Sequence, residues 1–216
     1  MPHGDEASAN AIDDVIAKAL RELDVADKVQ LLTGAAAFSL HGNEALGLRP
    51  MIFSDGPTGV RGSEFVGGKK VALFPNATLL AQAWDEVAAE GVGEMLAGEG
   101  HAQDVDVVLG PTVNLHRSPL DGRLFEAYAE DPLLSGRLAA AYIRGVQRYG
   151  IGACVKHYVA NESETQRRTV NVRVPKRRSA SSTCCRSRSA SPTRIPGSSW
   201  PRTTTSTVSP RPSTAT

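Results

Sequence analysis

Apolar positions along the first 160 residues change their period several times, and each change marks an element. Ala11 to Leu23 places Ile12, Val15, Ile16, Ala19, Leu20 and Leu23 at spacings of three and four, one face of a helix. Asp24 to Leu32 begins a second helix that ends at Gly34. The period then shortens. Met51-Ile52-Phe53 reads as a short buried strand ending in Ser54-Asp55-Gly56-Pro57, and Ala77 to Ala83 is a second apolar run. Asp85 to His101 reads as a helix with Asp85 at its start, where a carboxylate can accept from free backbone N–H groups. Val105 to Leu109 is a strand stopped by Gly110-Pro111, Asp131 to Tyr149 a helix, and Ala153 to Val159 another strand. Strand, loop, helix and strand at this spacing predict parallel βα units, an α/β fold.

Composition divides the chain in two. Over the whole 216 residues the net charge is +1. Residues 1–173 hold 16 basic and all 23 acidic residues, whereas 174–216 hold 8 basic and no acidic ones. From Pro175 to Thr216, 32 of 42 residues are Ser, Thr, Pro or Arg. Such a segment buries too little apolar surface to offset its ordering entropy. We therefore expect a folded region over 1–174 and a disordered tail over 175–216. No run of 18 uncharged apolar residues occurs, and Met1 to Asn10 is polar and acidic, so neither a membrane span nor a secretory signal is expected. Cys154, Cys184 and Cys185 include an adjacent pair that cannot easily bridge itself, and no Cys/His spacing suits zinc. A reducing, cytoplasmic setting is the expectation.

Polar residues gather where the strands stop. In a barrel of parallel strands the reacting groups project from the C-terminal strand ends and the loops that follow. Asp55, the stretch from Asn114 to Arg123, and Lys156-His157 all hold that class of position. Each admits a plain reading as well. Asp55 before Gly-Pro is a common turn residue. Arg123 could be a surface arginine or a partner of Glu126 or Glu130. Lys156-His157, near the end of an apolar strand, puts one charge toward the barrel interior. Glu162, Glu164, Arg167 and Arg168 read equally well as a solvated, mutually paired face.

Taken in order, these stretches carry a family resemblance. Phe53-Ser54-Asp55-Gly56-Pro57-Thr58-Gly59-Val60-Arg61 is followed by Phe74-Pro75, Trp84-Asp85, and Gly110-Pro111 with Asn114. Then come Arg123-Leu124-Phe125-Glu126, Glu130-Asp131-Pro132, and Lys156-His157-Tyr158-Val159-Ala160-Asn161-Glu162. Over roughly residues 24–174 the chain resembles the N-terminal barrel domain of glycoside hydrolase family 3, the β-glucosidase group. The resemblance implies the first half of a (β/α)8 TIM-like barrel and a retaining hydrolase of terminal β-linked sugars, without metal or organic cofactor. It implies that Asp55 accepts hydrogen bonds from sugar hydroxyls, as a carboxylate can for two neighbours at once. Arg123, Lys156, His157 and Arg167 match the family's binding and orienting residues. Fixed cationic donors are the expected means of holding hydroxyls.

The reaction itself needs two carboxyl groups about 5–5.5 Å apart in a retaining enzyme. The resemblance places the nucleophile in a later Ser-Asp-Trp motif and the acid in a further domain. No Asp or Glu follows Glu164, so neither catalytic carboxylate is expected in this chain and no activity is expected of it as it stands. The codons behind the tail offer a cause. If the reading frame slips near Val174, each true codon joins the last base of one printed codon to the first two bases of the next. Cys184-Cys185 then forces a leucine and Trp200-Pro201 an alanine. The remainder is compatible with an amphipathic helix followed by a strand bearing a Tyr-Asn pair, the tyrosine straddling Arg202 and Thr203. We expect 175–216 to be out of frame.

Two other readings stay open at this point. The tail could be an Arg/Ser-rich segment that binds nucleic acid through its phosphates, although it lacks interleaved aromatics. Alternatively, the chain could be a non-catalytic sugar-binding module built from Asp55, Arg123, Lys156 and His157. A full barrel takes about 250 residues, and about four strand–helix units fit before the tail. The barrel is expected to remain open, with an unpaired strand edge and uncovered apolar faces that favour association.

Overall fold

The structure, a computed structural model, describes residues 14, 16–63, 68–157 and 160–173. The Ser/Thr/Arg/Pro-rich segment 175–216, its expected disorder and the proposed boundary at 174 lie outside the described residues.

Residues 16–22 are helical, and α1 (Val25–Leu31) follows, capped by Asp24, whose side chain accepts from the Asp27 N–H. A hairpin not foreseen from the pattern comes next: β1 (Gly34–Ala36) and β2 (Ser39–Leu40) pair antiparallel, and β2 pairs antiparallel with β3 (Met51–Asp55). The apolar run at 77–83 is helical. Asn76 accepts from the Leu79 N–H and opens α2 (Ala77–Gln82). Asp85 caps α3 (Glu86–Ala102), which leads into β4 (Val107–Leu109). Asp131 caps α4 (Pro132–Arg148), with proline in the first turn, where no N–H is needed. The chain then enters β5 (Gly152–Ala153).

The sheet order is β1-β2-β3-β4-β5. β3, β4 and β5 run parallel, Phe53 opposite Val107 and Val107 opposite Gly152. Two strand–helix–strand crossovers and three parallel strands are thus present among the described residues, fewer than the four units counted from the sequence. Within the described part of the expected strand 153–159 the ladder is interrupted where the Gly110 N–H turns back to Val108 O (2.9 Å) instead of crossing to β5. Pairing resumes beyond that gap, the Lys156 N–H donating to Pro111 O (2.9 Å) and the Val113 N–H to Lys156 O (2.7 Å).

The core lies between the parallel strands and the pair α3–α4, with Leu96, Leu138, Tyr142, Ile143 and Val146 almost wholly buried. The two helices touch through glycines. A Cβ on Gly93 would meet Tyr142 O at 2.3 Å, and one on Gly145 would meet Glu90 O at 2.1 Å. Outside this contact Glu86, Glu90 and Glu94 pair with Arg137, Arg144 and Arg148. Packing this close makes the helix pair a rigid base on which the strand ends are registered.

Candidate active site

Asp55 ends β3, and the loop after it is tightly folded. Gly56 has φ +118°, and a Cβ there would lie 1.8 Å from Gly59 O, so only glycine makes this turn. The buried Ser54 hydroxyl accepts from the Gly62 N–H (2.8 Å), and the Tyr142 hydroxyl, from α4, donates to Pro57 O (3.2 Å). Burial pushes the Tyr142 pKa up, so this donor stays protonated. The carboxylate of Asp55 is thereby aimed across the strand ends.

From beyond β5 the Lys156 ammonium donates to Asp55 Oδ1 at 2.9 Å. Partial burial works against ionisation of Asp55, but the Lys156 hydrogen bond and charge, with the Gly56 N–H and Arg123, outweigh it and hold the pKa below the usual carboxylate range. Both members of the Lys156-His157 pair enter the cluster, and the peptide bond joining them is cis. His157 Nδ1 lies 2.8 Å from Asn114 Oδ1, and its Nε2 lies 3.1 Å from an Arg123 Nη1. Burial first, then the charges of Arg123 and Lys156, lowers the His157 pKa to about 4, against weaker opposing pulls from Glu126 and Glu164.

Arg123 stands before the single helical turn Leu124–Glu126 and forms a fork with Glu126, Nε to Oε1 and Nη2 to Oε2, both 2.8 Å. Burial opposes ionisation of Glu126, yet Arg123, helped by Lys156 and His157, holds its pKa below the ordinary value. The turn itself is clamped from outside. Thr78 on α2 donates to Leu124 O and Ala127 O, and His116 Nε2 lies 3.0 Å from the same two carbonyls. Arg123 Nη1 also reaches Glu164 Oε1 (3.4 Å), whose other oxygen forms an ion pair with Arg167 Nε (3.0 Å).

Asp55, Arg123, Lys156 and His157, singled out in the sequence, therefore converge in one cluster. Arg167 joins it only through Glu164 and is otherwise exposed, its side chain 60 % accessible. From the sequence, Glu126 was open only as a plain partner of Arg123 and Glu164 only as part of a solvated, paired face; both belong to the cluster. Glu126 stood three residues after Arg123 in the quoted motif, a spacing that pairs side chains on a helical turn. The charge run pairs Glu164 with Arg167, as read from the sequence, whereas the contact of Glu164 with Arg123, 41 residues away, carries no such signal. Rather than lying on a solvated face, its side chain is 13 % exposed.

Three carboxylates, Asp55, Glu126 and Glu164, meet three cations, Arg123, Lys156 and Arg167, around a neutral imidazole. The cluster offers many donors and acceptors with no net charge. Among the described residues no group of three His, Cys, Asp or Glu side chains is placed to hold a metal ion, and no helix is long and apolar enough to cross a membrane.

Parallel strands whose C-terminal ends carry such a cluster define a barrel-type α/β protein with a polar site at the strand ends. Residues 10–182 match the glycosyl hydrolase family 3 N terminal domain. The chain belongs to glycoside hydrolase family 3. It is 46% identical over 162 residues to β-glucosidase B of Emericella nidulans, covering 75% of this chain and 19% of that one. It is 44% identical over 167 residues to a β-glucosidase of Rhizobium radiobacter, covering 77% and 20%. The chain thus spans about a fifth of the length of these curated relatives. Among solved structures it is similar to the β-glucosidase of Kluyveromyces marxianus in complex with glucose, at 40% identity and TM-score 0.68, covering 69% of this chain and 18% of that one. It is likewise similar to β-glucosidase 3B of Thermotoga neapolitana in complex with glucose, at 36% identity and TM-score 0.67, covering 72% and 24%.

Proposed function

We propose that this chain forms the sugar-holding part of a β-glucosidase-type site for terminal β-linked glucosides, and that a polypeptide of these 216 residues binds the sugar without hydrolysing its glycosidic bond. The observation that supports this is the state of the two best-defined carboxylates. A general acid at neutral pH needs a carboxyl whose pKa is raised, and a nucleophile needs a free oxygen. Asp55 and Glu126 are both held low, and Arg123 covers both oxygens of Glu126. Such groups hold and orient. A cluster with no net charge suits a neutral polyol, with Asp55 accepting from adjacent hydroxyls and Lys156, Arg123 and His157 completing their hydrogen bonds. Arg167, through Glu164, orders the rim of the site. The named relatives, β-glucosidases solved with glucose among them, support the same ligand class.

In this reading the reacting carboxylates are encoded in the frame that slips near codon 174, and the folded region ends there. We place the protein in a reducing, cytoplasmic compartment, which fractionation of the source cells checks. The main test has two arms. Calorimetric titration of the 216-residue chain with glucose should give binding that Asp55→Asn removes, while hydrolysis of an activated aryl β-glucoside stays at the no-protein level. Restoring the slipped frame should yield a longer protein that hydrolyses that glucoside with retention and loses activity on Asp55→Ala. Hydrolysis by the 216-residue chain, abolished by Asp55→Ala, would overturn the binding-only reading; a stop codon soon after 174 in the restored frame would overturn the slip.

A further inference from the structure

An uncharged side chain to which the sequence motif assigned no chemistry stands behind His157. Asn114 follows β4 and is 4 % exposed. Its Oδ1 lies 3.1 Å from the backbone nitrogen of His157 and 2.8 Å from the ring Nδ1. A backbone N–H can only donate, so it fixes the amide with its oxygen toward His157. That oxygen can only accept from the ring as well, which requires the proton on Nδ1. On the opposite side Arg123 Nη1 faces Nε2 at 3.1 Å. A guanidinium has no acceptor atom and keeps its protons, so Nε2 must present its lone pair. Two groups of fixed sign leave the ring one form: neutral, with Nδ1 protonated and Nε2 bare.

We propose that Asn114 is a positioning residue of the sugar site, holding His157 as a hydrogen-bond acceptor at Nε2 and so fixing which hydroxyl hydrogens the site receives. Its ligand rests on the sugar-site reading above; the form of the ring does not. A hydroxyl that takes the place of the Arg123 N–H at Nε2 must donate its hydrogen there, which leaves its oxygen lone pairs for the displaced Arg123 and for Lys156. A second proton on the ring would instead set an N–H of an imidazolium against the Arg123 guanidinium. The charges around the ring are Arg123 and Lys156, which oppose that proton, and Glu126 and Glu164, which favour it, and burial opposes it most. The acceptor form therefore persists across the neutral and mildly acidic range.

The test uses the 216-residue chain with 15N-labelled histidine, the His157 ring being assigned among five histidines by its loss in His157→Gln. Long-range 1H–15N spectra at pH 7 should show Nδ1 protonated and Nε2 bare. In Arg123→Met, which frees Nε2, the ring should keep its proton on Nδ1, and adding Asn114→Leu should move a large share of it to the Nε2–H form with the circular dichroism spectrum unchanged. A wild-type ring protonated on Nε2, or an Arg123→Met/Asn114→Leu ring that keeps only Nδ1–H, overturns the proposal. If Asn114→Leu fails to fold, the isosteric Asn114→Asp decides: its carboxylate should raise the His157 midpoint by about 1–3 pH units, and an unmoved midpoint overturns the proposal. Glucose added to the same samples should shift the His157 signals, with affinity roughly tenfold weaker in Asn114→Leu, as for the loss of one hydrogen bond. Equal affinity in Asn114→Leu overturns the positioning role and leaves the sugar site standing. No response of the wild-type ring to glucose overturns the sugar site, and with it the role of Asn114 there, whatever the ring form.

Discussion

Arg123 ties two carboxylates and an imidazole together, so replacing it with methionine, similar in length but uncharged, exposes how the cluster is held. Breaking a fully buried ion pair costs about 3–5 kcal/mol, because the remaining charge is stranded. Here the Arg123 side chain is 22 % exposed and that of Glu126 13 %, so solvent screens part of the loss and about 2 kcal/mol is expected. Most of it falls on Glu126, whose remaining partner is the Thr112 hydroxyl at 3.4 Å. Glu164 keeps Arg167 and Asn161. Urea unfolding of the 216-residue chain at pH 7 should show the midpoint fall with the m-value unchanged. Adding Glu126→Gln to Arg123→Met should recover about 1–2 kcal/mol, a coupling that distant sites do not show. The pH dependence has a defined sign. The folded pKa of Glu126 is depressed, so its contribution is present above its unfolded pKa of about 4.3 and lost as pH falls through the folded value. The gap between wild type and Arg123→Met should therefore close below about pH 4. A single-variant loss under about 0.5 kcal/mol, or additive effects in the double variant, would refute this account of the cluster.

Three further outcomes follow from the same geometry. Gly56→Ala should destabilise the chain by about 2 kcal/mol or more, read by urea unfolding, because φ +118° and the 1.8 Å approach to Gly59 O leave no room for a methyl group. Lys156→Met should raise the Asp55 pKa, followed by the NMR shift of its carboxyl carbon. Stability should change by less than about 1 kcal/mol, because the Asp55 side chain is 44 % exposed. Because the His157 pKa drops from 6.5 to about 4 on folding, the unfolded chain binds more protons between those values, and stability should fall as pH drops through that window. After discounting for the ring's partial exposure the loss is about 1–2 kcal/mol, and His157→Gln should flatten it in unfolding curves at pH 7, 5.5 and 4.5.

Elements set by local pattern were legible in the sequence. Asp85 and Asp131 stand where a carboxylate meets free N–H groups, and α3 and α4 begin one residue later. The hairpin β1–β2 was not legible, because Gly34–Ala36 and Ser39–Leu40 are too short to show a period and are fixed by pairing with β3. The run at 77–83 read only as apolar, since seven residues fit either period; Asn76 at its start was the available sign of a helix. Close contact of α3 with α4 through Gly93 and Gly145 could not be foreseen, as each glycine is explained only by a carbonyl on the other helix.

Within the site, legibility followed the distance over which a partner acts. Asp55, Arg123, Lys156 and His157 sit beside strand ends and turns, and strand ends are where a parallel sheet gathers its chemistry. Glu164 looked like surface because a charge run is usually solvated, and only the fold brings Arg123 to it. One observation then bears on acid catalysis within the described cluster: Asp55 is committed to Lys156 and Glu126 to Arg123. A carboxylate clamped by a cation resists protonation and is a poor proton donor. In the sugar-holding reading proposed above, the cations that would hold hydroxyls are therefore the same ones that unfit Asp55 and Glu126 for acid catalysis, and a carboxylate acting as the acid would stand outside their reach.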